Sequence, residues 1–548
     1  MHSSAISAAR RVASRTIHAS RITPAASRIG VAAGKAAGSS EGPSSCRARR
    51  PSRYTHWGMG MAAVKATTAA PTSVARTRPD TTGRGCQVPS GVTSRKRGRS
   101  GTNAPRWGPG RYAPRALSDA RDRTVDVFTM VCLVFAGEAI FTLPFHVTRF
   151  FRPTVLAAFD LTNTELGAAQ AAYGVVAMLA YFPGGLLADR FGARSLLTVS
   201  LVATAAGAWV FTDQPSVVEL SVAFAYWGAT TILLFWAALI RATRQWGGAR
   251  SQGFAYGLLD AGRGVLAAGL ATLGAWLFAA MLPDSPAELT AETRRDALTT
   301  VSLIYAGVTL AAAAACWLTL RGPNVERPRR PSARSRWLSA STVDVLGRPQ
   351  VWAIAVVVLS AYVAYKGFDN YSLYAHQAWG MREDEAATFM AYMQWVRPPA
   401  ALLAGIVADR WSALRISLVC FVGLLATDLV FAVMLPRPDE VWVLVANVLV
   451  TCAAMFGLRG VYFALLEETR VPLHLTGVAV GLVSVIGYTP DVFVAFVQGL
   501  LLDRRPGLAG HQHVFWFLAA SAAVGVLATA WLIARSRSKR ATPAGVRT

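Results

Sequence analysis

Charge is what this sequence has least of. Asp, Glu, Lys and Arg together make up 16% of its 548 residues, against roughly 25% in soluble domains. A chain so poor in charge is not a string of water-soluble domains. Cysteine is equally thin. Of the six, Cys46 and Cys86 precede the apolar part of the chain, and Cys132, Cys316, Cys420 and Cys452 fall inside apolar runs. No CxxC or CxxxH spacing occurs, which excludes a disulfide framework and a metal site. These cysteines read as small apolar fillers, and no metal or other cofactor is expected. Outside the apolar runs there is no nucleophile elbow and no phosphate-cradling loop, so the chain is not read as an enzyme.

What is present is apolar length. Apolar residues reach 53%, and from residue 125 onward runs of 20 or more follow one another with short connections. A bilayer core takes about 20 apolar residues per helix. Twelve spans are expected, at 127–149, 165–188, 195–213, 217–241, 252–282, 298–320, 351–376, 386–408, 414–435, 441–465, 476–501 and 513–535. The fold class is therefore an all-α polytopic membrane protein. The Pro- and Arg-rich stretch from Arg321 to Trp337 interrupts the series after the sixth span, which divides the chain into an N-terminal six-helix half (125–320), a linker (321–348), a C-terminal half (349–536) and a short tail (537–548).

The net charge of +25 is unevenly placed. Residues 1–118 hold 21 Lys and Arg but only two acids, Glu41 and Asp80. Such a segment buries too little apolar surface to offset its chain entropy, so residues 1–124 are expected to be disordered. Three roles stand open: an arm for nucleic acid or anionic lipid, a transit peptide, or a stretch upstream of the true start at Met59, Met61 or later. Arginine outnumbers lysine 50 to 5 throughout, so arginine-richness carries no meaning of its own. For the membrane body no nucleic-acid partner is expected. Loops on the side of both termini carry about 20 Lys and Arg and the opposite loops about 7, which by the positive-inside bias places both termini in the cytoplasm.

The two halves repeat. Gly185-Leu-Leu-Ala-Asp-Arg190 returns as Gly405-Ile-Val-Ala-Asp-Arg410, "WAALIRATR" ending at Arg244 as "FALLEETR" ending at Arg470, and Gly253-Phe-Ala-Tyr-Gly257 as Gly477-Val-Ala-Val-Gly481. Three matches in order at nearly constant offset describe parallel six-helix repeats, a plan of secondary transporters. Here the chain resembles the major facilitator superfamily, whose signature loop between the second and third helices reads roughly G-x-L-A-D-R-x-G-R-[RK]. This sequence has Gly185, Asp189, Arg190, Gly192 and Arg194 at the matching positions, and Gly405, Asp409 and Arg410 in the second copy. Ala193 stands where a base is common, and Ser412 replaces the second-copy glycine, which makes the second loop the weaker latch. Gly185 is expected to permit close helix approach and Gly192 a tight turn. By resemblance, Asp189 meets the facing half when the cytoplasmic side is closed.

Ionisable residues inside the spans are the best pointers to function, because each costs several kcal/mol unless paired or hydrated. Glu138 lies near the middle of the first span, followed by Pro144, His146 and Arg149. Asp260 and Arg263 stand at i, i+3 on the fifth and are expected to pair. Lys366 and Asp369 have the same spacing on the seventh, Arg397 precedes Pro398-Pro399 on the eighth, and Asp428 and Arg459 occupy the ninth and tenth. The balance leans positive, which points to an anionic or polar solute held by charge-assisted hydrogen bonds. Arg149, Lys366 and Arg397 are the expected substrate-binding residues, and Glu138 and Asp369 the expected ion-coupling residues. The seventh span and the late arginine of the first resemble the organophosphate:phosphate antiporter branch, which holds its anion with one basic residue from each half, although Arg149 lies closer to the following "ELG" than that branch implies. The expected function is a monomeric secondary transporter of a small polar or anionic solute, coupled to an ion and resident in the plasma or inner membrane rather than an organelle. A multidrug/proton antiporter and a transporter-shaped sensor or scaffold are the alternatives.

Overall fold

A computed structural model describes residues 116–247, 252–283, 285, 288–320, 340–469, 471–472 and 475–541. Among the described residues every regular element is helical. The membrane-length segments are α1 (Val127–Phe150), α2 (Asn163–Arg190), α3 (Ala193–Phe211), α4 (Val217–Gly247), α5 (Gln252–Met281), α6 (Ala291–Thr319), α7 (Pro349–Trp379), α8 (383–410), α9 (Ala413–Val433), α10 (Val441–Glu468), α11 (Ala479–Arg504) and α12 (Leu508–Arg537).

Ten of these twelve pass as single apolar helices of membrane-crossing length, and α2 makes an eleventh if its two parts count together. The two exceptions have visible causes. Pro183 lies inside α2, which bends by 55° there, because proline supplies no amide donor to the preceding turn. The α8 segment is broken by a 3₁₀ turn at Gln394–Val396, with Arg397, Pro398 and Pro399 directly after it.

Three expected boundaries move. Helix begins at Ala116, so the last residues assigned to the disordered tail are ordered, while 1–115 lie outside the described residues. The linker's residues 321–339 also lie outside, but its end is a helix, Ala340–Leu346. The last helix runs on to Ala541, past the expected start of the C-terminal tail, of which 542–548 lie outside the described residues.

Within the first six segments α1 packs on α5 and α6, α2 on α4, and α3 on α6; within the second six α7 packs on α11 and α12, α8 on α10, and α9 on α10 and α12. The halves meet along α2 with α11 and along α5 with α8. Glycine makes the first seam close: a side chain at Gly174 would run into the Asp491 carbonyl, and one at Gly499 into that of Asn163.

Outside the membrane interior, the polar ties across the junction lie toward one end. At the face away from the chain termini, Asp503 of α11 accepts from the Asn163 and Thr164 amides at 3.1 and 2.6 Å, satisfying two free donors at the start of α2. There too Glu383 of α8 accepts from Thr154 at 2.5 Å and from Arg294 of α6 at 2.8 Å. Toward the face of the termini, no described atom lies within 4 Å of a side-chain carbon built at Gly185, Gly257 or Gly481, and Leu186, Leu402, Leu403 and Val485 are exposed. Among the described residues, the polar ties between the halves gather at the far face.

Candidate functional site

Several ionisable residues of the membrane interior sit beside breaks in their helices, while Asp260, Arg263 and Asp428 lie on unbroken helix. In α1 the ladder turns at Ile140–Phe141 and passes through a π-helical stretch, Thr142–His146, around Pro144. Helix α7 passes into a 3₁₀ turn at Phe368–Asn370, between Lys366 and Tyr371. Arg397 follows the break in α8, and Asp491 follows the interruption between Gly487 and Pro490 in α11. Arg459 lies three residues before the 3₁₀ turn at Tyr462–Ala464 that interrupts α10. Irregular backbone of this kind is tolerated at membrane depth only where protein or a hydrated cavity surrounds it.

Two charged clusters result. In the first, the Arg149 Nε lies 2.5 Å from Asp369 Oδ1, and a second guanidinium nitrogen donates to the Tyr365 hydroxyl at 3.3 Å. Lys366 Nζ is 2.9 Å from the other Asp369 oxygen and 3.6 Å from Asp491. Asp491 in turn accepts from the Tyr362 hydroxyl at 3.0 Å. Three segments, α1, α7 and α11, are thus tied across the junction of the halves, and Ser372 adds a hydrogen bond to the Arg149 carbonyl. Arg149, Lys366 and Asp369 are all buried, so each charge depends on its partner rather than on water.

The second cluster surrounds Glu138 and is looser. Arg263 of α5 approaches it to 3.3 Å, Arg397 of α8 to 3.7 Å and His146 to 3.8 Å. Arg397 also lies 3.9 Å from Asp260. The expected Asp260–Arg263 pair does not form among the described residues. Arg263 turns instead toward α1, donating to the Gly137 carbonyl at 2.9 Å, with the Phe141 and Trp236 rings on its guanidinium. A buried carboxylate on α1 offers it more than a partly exposed Asp260 on its own helix.

Arg459 stands apart from both clusters. Its guanidinium carbon lies 4.1 Å from the centre of the Tyr365 ring and 5.8 Å from that of Tyr362, and its buried Nη1 has no hydrogen-bond partner among the described residues. Tyr362 packs edge-on against Tyr488, whose hydroxyl meets that of Tyr462 at 3.3 Å. Asp428 is buried on α9, off the junction, and makes no ion pair among the described residues.

The signature loops lie at the terminal face. Asp189 and Arg190 are exposed, and Asp189 makes no ion pair among the described residues. Arg194 stacks on Trp317 at 3.9 Å, and the carbonyl of Ala188 accepts from Arg241 of α4. Two readings of the glycines need correcting. The close approach belongs to Gly184, where a side chain would come within 2.9 Å of the Leu233 carbonyl, whereas Gly185 faces open space. Gly192 has ordinary extended dihedrals (φ −67°, ψ 143°), so no turn there requires glycine; it starts α3 as its N-cap residue.

The second loop is also better anchored than the loss of its glycine implies. Ser412 caps α9 by accepting from the Arg415 amide at 3.3 Å and bonds Glu468 of α10, which also accepts from the Leu414 amide at 3.0 Å. Gly405 is buried, and Arg410 is exposed.

Several residues of these networks escaped the sequence reading. Asp491 and Asp503 were legible as acids in or beside an apolar run, and Glu383 as part of an acidic cluster. Arg152, almost fully buried at the far face two residues beyond Phe150, falls just outside the expected first span of 127–149.

The comparisons with known proteins agree with this architecture. The family model described as Major Facilitator Superfamily matches residues 127–495. The inner membrane protein YqcE of Escherichia coli (strain K12) is 26% identical over 76% of this chain and 96% of its own length. The inner membrane protein YihN of the same organism is 24% identical over 74% and 95%. Among solved structures, the nucleoside transporter NupG superposes with a TM-score of 0.57 at 13% identity, covering 75% of this chain and 99% of that one. An inward-facing, unoccupied bacterial homologue of the human lysosomal transporter Spinster gives 0.56 at 14% identity, over 76% and 97%. At such identities the two structures speak for the fold alone.

Proposed function

This chain belongs to the Major Facilitator Superfamily, a family of membrane transporters, and from that premise we propose that it moves a small anionic solute by alternating access, coupled to an ion. The carrying observation is the buried cluster Arg149–Asp369–Lys366–Asp491, which joins α1 to α7 and α11 at the junction of the halves. A solute anion competes with Asp369 and Asp491 for Arg149 and Lys366, so its arrival loosens the ties between halves and its release restores them. One base from each half is what the resemblance to the organophosphate:phosphate antiporter branch implies. Arg397, on the rim of the second cluster, is the third substrate-facing base.

Glu138 and Asp369 carry the coupling. Asp369 is freed from its two bases as solute binds. Glu138, held at 3.3 to 3.8 Å by three groups rather than locked to one, exchanges a proton with His146 close by. The terminal face is read as cytoplasmic from the positive loops, and with the polar ties between the halves at the far face this is read as an inward-facing form. In the opposite form the terminal ends of α2, α5, α8 and α11 close, bringing Asp189 and Asp409 of the two loops toward the facing half.

The test is uptake by the full chain in proteoliposomes. Labelled organic anions are expected to accumulate under an imposed proton gradient or by exchange; Lys366→Ala is expected to abolish both, and Glu138→Gln the gradient-driven accumulation. If both variants transport normally, the assignment fails.

A further inference from the structure

At the terminal face, away from both charged clusters, the end of α12 stands beside the α8–α9 loop and the end of α10. Between them opens a cleft of about 820 Å³, which reaches Gln350 at the start of α7. Its charged lining is Arg415 of α9, Arg535 and Arg537 of α12, and Glu468 of α10. Glu468 is committed to the loop: its carboxylate accepts from the Ser412 hydroxyl and the Leu414 amide, and it makes no ion pair among the described residues. Arg415 and Arg537 are exposed and make no ion pair among the described residues either. Three guanidiniums thus share one cleft with a single carboxylate that already has its donors.

The arginines also stand at the head of apolar faces. On α9, Val419 and Val422 follow Arg415 at the spacing of one helical face, and both are exposed. On α12, Val524, Leu527 and Trp531 lead up to Arg535 in the same way, and the Arg535 guanidinium lies 5.2 Å from the centre of the Trp531 ring. The two helices pack on each other, and Leu532 and Ile533 give the cleft an apolar wall. Trp411, exposed on the loop, lines it as well. Tryptophan above an apolar face is what a protein presents to the boundary between headgroups and hydrocarbon. The basic stretches of the chain itself do not complement such a cleft: residues 1–118 hold 21 Lys and Arg against two acids, and 321–339 hold six arginines against one acid.

We propose that this cleft binds an anionic phospholipid of the leaflet at the terminal face, with the phosphate among the arginines and the acyl chains along α9 and α12. Such a site stands apart from the transport reading above and is the same whatever solute is carried. Guanidinium forks take phosphate oxygens through paired N–H donors, and basic pockets between membrane helices suit anionic headgroups. A soluble phosphate gains the charge alone, whereas a lipid gains the apolar contact as well. Because Ser412 lines the cleft, a lipid there supports the second signature loop from behind.

The experiment is a thermal-shift titration of the purified full chain in a neutral detergent. The probes are a short-chain phosphatidylglycerol, phosphatidylcholine with the same chains, and glycerol 3-phosphate. Phosphatidylglycerol is expected to stabilise the protein at concentrations where glycerol 3-phosphate does not, with phosphatidylcholine about tenfold weaker or worse. Arg415→Gln and Arg537→Gln are each expected to weaken phosphatidylglycerol about fivefold, the worth of one base near an anionic surface, and about 25-fold together. Arg244→Gln, which removes an exposed base at the end of α4 outside the cleft, is expected to leave that affinity unchanged.

Three results overturn the proposal. Equal stabilisation by phosphatidylcholine marks general solvation by lipid. Equal stabilisation by glycerol 3-phosphate marks an anion site without a lipid. Arg244→Gln weakening binding as much as Arg415→Gln, or neither cleft variant weakening it, marks a diffuse pull of the whole face or a site elsewhere.

Discussion

The two charged clusters of the membrane interior are built from similar residues and held in different ways. Around Asp369 the closest contacts are 2.5 and 2.9 Å, whereas around Glu138 they run from 3.3 to 3.8 Å. The difference follows from the breaks that supply each cluster. The 3₁₀ turn in α7 sets Lys366 and Asp369 on one short stretch, against Arg149 arriving from α1. Glu138 instead collects one base each from α5 and α8 and the histidine that closes the π-helical stretch of its own helix. A carboxylate shared at hydrogen-bond distance by two bases is a clasp. One surrounded at longer range by three groups is placed to change partners.

Substitutions that separate the clusters test this contrast. Asp369→Ala is expected to have the largest effect, because it strands Arg149 and Lys366 together in the interior. Breaking a buried pair from one side costs about 3–5 kcal/mol, so a drop in melting temperature should accompany complete loss of uptake. Glu138→Gln is expected to be milder in stability and selective in function: gradient-driven accumulation is lost while solute exchange persists. Equal loss of exchange and accumulation would erase the distinction between the clusters.

Next in size is the far face. Thr154→Val removes one donor to Glu383, a loss of about 1–2 kcal/mol from closure on that side. Cysteines placed in the α2–α11 seam should then label faster from the far face. The smallest stability effect is expected at the signature loops. Asp189→Asn should slow transport without lowering expression or melting temperature, since Asp189 is exposed in this form. Ser412→Ala, by contrast, should cost about 1 kcal/mol through its lost cap.

The fold was legible because its signals are long. Apolar runs of bilayer length, a repeated loop and a charge bias between faces each average over many residues. The identities of the central groups were legible for a related reason: a charge in an apolar run stands out wherever it falls. Their pairing was not. Spacing within one helix suggested Asp260 with Arg263, but the partner of Arg263 is Glu138 on α1, a contact between helices that spacing along one helix does not show. Asp491 was missed although it lies inside the expected 476–501 span, because that span was taken as one helix and the break before Pro490, which sets Asp491 against Lys366, does not show in apolar length. The two glycines of the first loop misled in the same way. Motif position gave them roles that the backbone assigns to Gly184 or to none.

The most direct measurement of the central claim is solute counterflow in proteoliposomes holding the full chain, with vesicles preloaded with unlabelled anion and labelled anion outside. Trans-stimulated entry of an organic anion, abolished by Asp369→Ala and retained by Glu138→Gln, is the predicted result. Entry of neutral or cationic solutes with no anion counterflow, or anion counterflow indifferent to Asp369→Ala, would contradict it.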